Sequence, residues 1–297
     1  MPLASVLSAV KELILAGREL PVLEAERRIK YRYYFPNLSP EELEGLAKIL
    51  PAQLRAYTSS IVSGEKGTLY NLFPITFKLL QKYWEISFGE IFDPTAFIQD
   101  MNSKFPWKGY ATEVLAANFV SYISSRHDLG ELVPYLQDVG RIEYLSMKVR
   151  RHLPEPVTKE IELSGLTVEE LLSRNFIIKS STVFQEFYFD VVGLYWEEMK
   201  EEDLTLPPLE EVTLAYCARN TKNRLRWGKL SSEIFDYLQK IERNNPVKIE
   251  EFAEVAVSAV STDALSEGTQ GLSEEDLFQA FYRLLHRLME DGVLHFI

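Results

Sequence analysis

The stretch VTLAYCARNTKNRLRW, residues 212–227, sets the character of the second half of the chain. Its two ends, Val212–Ala218 and Asn223–Trp227, have the β-branched and aromatic residues that are typical of strands. The pattern predicts two strands of a β-hairpin.

A helical segment follows the hairpin. A hairpin followed by three helices is the element order of a winged-helix-like module, which we predict at about residues 209–297. Ser273 with Asp276 resembles a capping box at the start of the last helix, and Gly292 suits its C-terminal end. The three helices are predicted at Ser232–Arg243, Ile249–Ser258 and Glu274–Asp291, and a short closing strand at Val293–Ile297.

Strand patterns also occur upstream of the hairpin. Phe176–Lys179 and Val183–Phe189 are β-branched and aromatic runs, which indicate strands. The intervening Glu197–Glu211 is acidic and contains Pro207-Pro208, so it is predicted to be a loop or hinge. Residues 155–297 are therefore predicted to form one α+β domain.

Residues 1–154 are predicted to form an all-helical domain, because their apolar residues recur at intervals of three and four. Ser39-Pro40-Glu41-Glu42 has the features of a helix start with a capping box. The chain as a whole therefore falls in the α+β class. Further helices are predicted at about Gln53–Val62, Leu69–Tyr83, Pro94–Ser103, Ala111–Ser124 and Pro134–Arg151.

The charge distribution supports a domain boundary at Pro154-Glu155-Pro156. The 297 residues carry a formal net charge of −12. Residues 1–154 have 18 Lys and Arg against 17 Asp and Glu, a net of +1, whereas residues 155–297 have 14 against 27, a net of −13. Such an acidic half repels duplex nucleic acid unless a local basic surface outweighs it.

Cysteine content and hydropathy bear on the compartment. Cys217 is the single cysteine, so no internal disulfide can form, and a reducing cytoplasm is the expected location. The longest uncharged run, Val114–Ser125, has 12 residues, fewer than the roughly 20 that span a bilayer. The sequence therefore predicts no membrane helix and no membrane partner.

Residues of the kinds that carry catalysis are scattered. The chain contains no G-x-S-x-G, P-loop, dinucleotide-binding or H-E-x-x-H motif. Cys217 follows Tyr216 on a predicted strand, and we interpret it as a small buried apolar residue. We expect no enzyme activity, no catalytic residues, no cofactor and no metal site. The histidines, His127, His152, His286 and His295, lack partners at metal-ligand spacing.

An ordered set of motifs in the first half resembles the helical domain of the HvfC/BufC-type family, a domain labelled as DNA-binding. Members of this family are partner proteins of multinuclear non-haem iron oxidases that modify cysteines of ribosomally made peptides. The resemblance covers roughly Leu3–Leu153 by motif. Its motifs are Arg55-x-Tyr57, Leu72-Phe73-Pro74, Leu79-Leu80, Phe97, Phe119 and Pro134-Tyr135-Leu136-x-Asp138-x-x-Arg141-x-Glu143.

The second half resembles the peptide-recognition part of the same partner proteins. The resemblance implies a non-catalytic adaptor that binds a precursor (leader) peptide and presents it to such an oxidase. The matching residues are Val191–Trp196, Tyr216-x-x-Arg219, Leu230-Ser231, Phe235 and Leu238.

A basic cluster marks the candidate peptide site. Five positive charges lie between Arg219 and Lys229 with no acidic residue among them. They could bind an acidic peptide or phosphates, or could protect a sheet edge from aggregation. Strand addition to the hairpin would use its backbone, with the last helix as the other wall. For Tyr282 and Leu285 a core role is the stronger interpretation. The predicted peptide-binding residues are Tyr216, Arg219, Arg224, Leu225, Arg226, Trp227 and Phe278.

A second set of residues is predicted to dock the oxidase. Tyr135, Asp138, Arg141 and Glu143 belong to the family motif, and Asp138 and Arg141 lie three apart on one helical face. An ordinary salt bridge on the helix surface is the alternative explanation of that spacing.

The alternative function is a nucleic-acid-binding transcriptional regulator, which the element order and the basic hairpin favour. The last helix, which would have to enter the groove, is rich in acidic residues, so nucleic acid is the less favoured partner.

Overall fold

A computed structural model describes residues 3–15, 20–105, 111–152, 165–196, 210–220, 222–266 and 273–297. The chain divides into two compact units, Met1–Gly140 and Arg141–Ile297. The predicted boundary at Pro154-Glu155-Pro156 and most of the predicted hinge lie outside the described residues. Within those residues, no helix has both the length and the apolar composition needed to cross a membrane.

The first unit is helical, and its helix starts follow local sequence signals. The predicted capping box forms, because Ser39 Oγ accepts a bond from the Glu42 N–H and Glu42 accepts one from the Ser39 N–H. Three later helices begin at a proline, which suits the first turn because its missing N–H would be unsatisfied there anyway. The helices are α1 Leu3–Leu15, α2 Glu24–Tyr34, α3 Pro40–Lys48, α4 Pro51–Leu72, α5 Pro74–Phe88, α6 Pro94–Lys104, α7 Thr112–Ser125, α8 His127–Leu132 and α9 Leu136–Arg151, the last of which crosses into the second unit.

The prediction that one helix ends near Val62 and another starts near Leu69 is wrong, because α4 is one continuous helix through both residues. It continues through Gly64 and Gly67. Val62 and Leu69 are buried two turns apart, and their burial outweighs a glycine cost of about 1 kcal/mol per residue. The chain breaks instead before Pro74, which cannot donate the next helical hydrogen bond.

Aromatic residues form the centre of the first unit's core. The Phe119 ring lies 4.5 Å from the Phe73 ring, 5.2 Å from Phe77 and 6.3 Å from Phe97, measured between centroids. All four side chains are buried. Rings from the α4–α5 junction, from α5 and from α6 thus converge on Phe119 of α7, and each aromatic pair adds roughly 0.5–1.5 kcal/mol beyond area burial.

The second unit combines helices with two three-stranded antiparallel sheets, which confirms the α+β class. The elements are α10 Val168–Leu172, β1 Asn175–Ile178, β2 Val183–Phe189, α11 Val191–Trp196, β3 Glu210–Arg219, β4 Leu225–Lys229, α12 Ser232–Lys240, β5 Val247–Lys248, α13 Ile249–Ser266, α14 Glu274–Glu290 and β6 Leu294–Phe296. The predicted hairpin is thus β3 with β4, the predicted strand Val183–Phe189 is β2, and the three predicted helices are α12, α13 and α14.

The upstream strands complete both sheets. One sheet has the order β5-β1-β6, and the other has the order β2-β3-β4. Phe176 of β1 lies opposite Phe296 of β6, and Phe184 of β2 lies opposite Tyr216 of β3. Strands on either side of the predicted hinge therefore pair with each other.

A single hydrophobic core joins these strands to the helices that follow them. Phe252 of α13 lies 5.7 Å from Phe176 and 6.0 Å from Phe281 of α14, measured between ring centroids. Phe184 and Tyr216 belong to the same buried cluster. Residues 209–297 therefore share their core with the strands upstream of them.

Gly292 ends α14, as its position in the sequence predicts. Its φ of +80° lies in the left-handed region, which glycine adopts without strain. A Cβ there would lie 2.7 Å from the Arg219 carbonyl carbon, so only glycine allows this close approach to the end of β3. The contact holds Asp291, the preceding residue, beside the sheet.

Candidate functional site

Strand β4 is an edge of its sheet in the described part of the chain, since β3 is the strand on its one paired side. The Leu230 N–H donates to the Leu214 carbonyl, and Tyr216 lies opposite Gly228. In an antiparallel pair the hydrogen-bonded positions alternate, so Gly228 directs its N–H and C=O toward β3. Leu225, Trp227 and Lys229 direct theirs toward the outer edge.

Tyr216 covers Gly228. The two residues are a direct cross-strand pair, and a Cβ on Gly228 would lie 2.6 Å from the Tyr216 ring carbon Cε1. The Tyr216 hydroxyl donates a hydrogen bond to Asp291 Oδ2 at the end of α14. Burial, and then the Asp291 carboxylate, raises the pKa of this hydroxyl, so Tyr216 remains a neutral donor at ordinary pH.

A cavity of about 380 Å³ lies beside β4. One wall is β4 itself, the second is the start of α11 and the third is the C-terminal end of α14. Two of the lining residues are glycines, of which Gly193 is half-buried and Gly228 is buried under the Tyr216 ring. The lining residues are Val192, Gly193, Trp227, Gly228, Lys229, Arg287 and Asp291.

Charged groups at the cavity are arranged in two pairs. Lys229 Nζ lies 2.6 Å from Asp190 Oδ2, a close ion pair. Arg287 Nε lies 3.9 Å from Asp291 Oδ2, which is longer than a hydrogen bond. The Arg287 guanidinium also lies over the Tyr216 ring, 6.0 Å from its centroid. The two cations thus occur on two different walls of the cavity, and Arg287 has the looser carboxylate partner.

The predicted arginines have different environments. Arg219 is half-buried, and its Nη1 donates to the His152 carbonyl at 2.6 Å and to the Arg150 carbonyl at 3.3 Å. Arg224 is exposed at the start of β4, and Arg226 is half-buried. Arg219 therefore caps the end of α9, whereas Arg224 is accessible to a ligand.

The predicted apolar residues lie mostly in the core. Trp227 is 2% exposed, and its Nε1–H donates to Ser146 Oγ at 2.9 Å. Leu225 is half-buried. Phe278 packs on the core cluster with its ring 6.3 Å from that of Phe281. Trp227 lines the cavity, Tyr216 contacts it through Gly228 and Asp291, and Phe278 is not among the lining residues.

Several cavity residues were not selected from the sequence. Lys229 belongs to the basic cluster and could have been included on that ground. Gly228 carries a signal as well, because glycine inside a strand often marks a close approach. Val192 belongs to the stretch Val191–Trp196 that carries the family resemblance. Arg287 and Asp291 carry no local signal, since they reach the cavity only through the tertiary fold.

The predicted docking residues have little exposed surface. Tyr135 and Asp138 are each 2% exposed, and Glu143 is 3% exposed. Arg141 is half-buried. Their role in binding an oxidase stays a prediction.

Cys217 is a free, buried cysteine on β3. Burial raises the pKa of the Cys217 thiol well above its ordinary range, which disfavours the thiolate. Across the described ranges, no group of three or more His, Cys, Asp or Glu side chains is placed to hold a metal ion. The arrangement of β4 and its cavity is suited to binding.

No protein-family model matches the chain, and no curated protein matches it.

Proposed function

We propose that the protein is a non-catalytic adaptor that binds a precursor peptide as an added β-strand and presents it to a multinuclear non-haem iron oxidase. The observation that carries the peptide part is the position of β4 at the edge of its sheet beside a cavity. The oxidase part rests on the resemblance of the first half to the HvfC/BufC-type family.

Strand addition suits a partner whose sequence varies. The outward N–H and C=O groups of Leu225 and Lys229 supply hydrogen bonds that do not depend on the peptide's side chains. A cavity beside the strand supplies selectivity. An edge strand with both features matches what recognition of a precursor peptide requires.

Charge favours an acidic peptide. The stretch from Lys222 to Lys229 carries four positive charges and no acidic residue. The rest of residues 155–297 is strongly acidic, so attraction is confined to this edge. A peptide that approaches elsewhere on the acidic half is repelled, which directs it to β4.

The oxidase partner would supply the metal chemistry, and this chain would supply orientation. The helical first unit is the part that resembles the oxidase-docking domain. Residues 209–297 would act as the winged-helix-like peptide-recognition module, completed by the upstream strands β1 and β2.

Nucleic acid is the second candidate, because the exposed Lys222 and Arg224 could contact phosphates. One contact and one charge pattern weigh against it. Arg219 is engaged by backbone carbonyls, and α14 begins with the acidic residues Glu274, Glu275 and Asp276.

The test is selection of a display library of random dodecapeptides against the full chain, followed by affinity measurements with two variants at one position. Lys229→Pro removes an outward N–H without removing a bond to β3, and Lys229→Gln removes the charge but keeps the N–H. We expect enriched peptides that bind at least about tenfold more weakly to Lys229→Pro than to Lys229→Gln, a difference of about 1.4 kcal/mol.

The proposal fails if no peptide is enriched, or if Lys229→Pro binds the selected peptides as Lys229→Gln does. A mixed-sequence single-stranded DNA that binds more tightly than any selected peptide at physiological salt would favour the second candidate. Matching melting temperatures of the two variants exclude unfolding as the cause of lost binding.

A further inference from the structure

We infer that the cavity beside β4 selects an acidic side chain of the bound peptide, and that Arg287 binds its carboxylate. This inference rests on the proposed function, because it requires a peptide strand paired with β4.

The strand geometry determines which peptide side chain reaches the cavity. Residues directly opposite each other on neighbouring strands point to the same face of the sheet. The peptide residue opposite Gly228 therefore points to the face that carries Tyr216, and its side chain would lie beside the Tyr216 ring that covers Gly228. Arg287 lies on this face, over the Tyr216 ring.

Arg287 has a looser carboxylate partner than Lys229 has, and its side chain also hydrogen-bonds the Tyr216 hydroxyl. The guanidinium is a planar fork that can donate two parallel hydrogen bonds to one carboxylate. Its contact with Asp291 is 3.9 Å long, and Asp291 Oδ2 already accepts a bond from the Tyr216 hydroxyl. Lys229 holds Asp190 at 2.6 Å, so the closer ion pair is on the other wall.

Charge decides the selection at Arg287. Its side chain is 53% exposed, so it would meet a carboxylate at the rim of the cavity. A charge-assisted hydrogen bond is roughly twice as strong as a neutral one. A glutamine of the same shape lacks the charge, and a lysine would be repelled by Arg287.

A double-mutant cycle tests the inference. One arm compares a dodecapeptide selected on the full chain with its single Glu→Gln or Asp→Asn variants. The other arm compares the wild-type protein with Arg287→Gln. We expect that substitution at one acidic position of the peptide weakens binding to the wild-type protein about tenfold. The same substitution should have little effect on binding to Arg287→Gln.

Arg283→Gln is the matched control, because Arg283 is exposed one turn earlier on α14 and its Nε donates to the Gln279 carbonyl of the same helix. The acidic preference should persist in this variant. If the acidic substitution in the peptide weakened binding equally to the wild type and to Arg287→Gln, the inference would be overturned. The proposed function would stand if Lys229→Pro still weakened peptide binding. Failure of every peptide to bind would overturn both.

Discussion

Tyr216 and Gly228 face each other across β3 and β4, and the tyrosine ring occupies the space that a side chain on residue 228 would need. The ring is held there by its hydroxyl, which donates to Asp291 at the end of α14. Asp291 is in turn held close to the sheet because Gly292 packs against the Arg219 carbonyl. A glycine inside a strand thus links the edge of the sheet, the end of the last helix and the cavity between them.

Replacing Gly228 with alanine should destabilise the protein. The new methyl group would overlap the Tyr216 ring, and displacing that ring would weaken its bond to Asp291. Overpacking of this kind costs about 1–3 kcal/mol. The measurement is the free energy of unfolding in urea for the wild type and for Gly228→Ala.

Gly45→Ala is the control, because a Cβ on Gly45 in α3 meets no atom within 4 Å. Alanine is the better helix former, so this variant should be more stable by up to about 1 kcal/mol. Opposite signs for the two substitutions are expected. A Gly228→Ala protein as stable as the wild type would show that the Tyr216 ring moves without cost.

Glu65 and Asn102 form a buried pair in the first unit whose protonation we expect to depend on folding. Asn102 Nδ2–H donates to Glu65 Oε2 at 2.7 Å. Glu65 Oε1 and Asn102 Oδ1 are buried acceptors without a hydrogen-bond partner. A proton on Glu65 would make its carboxyl a donor and satisfy both atoms at once. Burial raises the pKa of Glu65, which favours that neutral form.

The pH dependence follows from the sign of this shift. The folded state binds the Glu65 proton more tightly than the unfolded state does. The resulting stability is present below the ordinary glutamate pKa of about 4.3, and is lost as the pH rises through the higher value of the folded state. Glu65→Gln offers an acceptor and a donor to Asn102 without a charge, so it should be more stable than the wild type at neutral pH.

The check is the free energy of unfolding between pH 4 and pH 9. The wild type should lose stability relative to Glu65→Gln as the pH rises, whereas the exposed control Glu85→Gln should follow the wild type. Parallel curves for the wild type and Glu65→Gln would mean that Glu65 is ionised in the folded protein.

Local signals explain which parts of the fold the sequence predicts. The hairpin, the capping box of Ser273 with Asp276 and the end of α14 at Gly292 each depend on neighbouring residues, and all are confirmed. Phe184 pairs with Tyr216 between segments that are distant in the sequence, and no local pattern predicts this pairing. The cavity could not be predicted from local patterns either, because its walls come from three separate segments.

The arginines of the basic cluster should divide into a structural residue and ligand-binding residues. Arg219→Gln removes the bonds to the His152 and Arg150 carbonyls at the end of α9, and should cost about 1–2 kcal/mol of stability. Arg224→Glu should weaken binding of the selected peptides and, because Arg224 is exposed, leave the melting temperature nearly unchanged.

Calorimetric melting and peptide titration of both proteins provide the comparison. A charge reversal at Arg224 that leaves peptide affinity unaltered would place the peptide elsewhere than β4. If Arg219→Gln had normal stability but reduced peptide affinity, Arg219 would be a peptide-binding residue.

Fragments of the second unit should fold only if they contain β1 and β2. Residues 205–297 lack both strands, so the face of Tyr216 that packs with Phe184 would be exposed, and the sheet of β5 and β6 would lose its central strand. Residues 141–297 keep the strands and also keep Ser146, which accepts the bond from Trp227. Burial of a phenylalanine is worth roughly 1.5–3 kcal/mol, so the loss of Phe176 and Phe184 together approaches the whole stability of a small domain.

We therefore expect dispersed amide resonances and a cooperative melt for residues 141–297 and neither for residues 205–297. A cooperative melt for the shorter fragment would show that the hairpin and the three helices hold a core without the upstream strands.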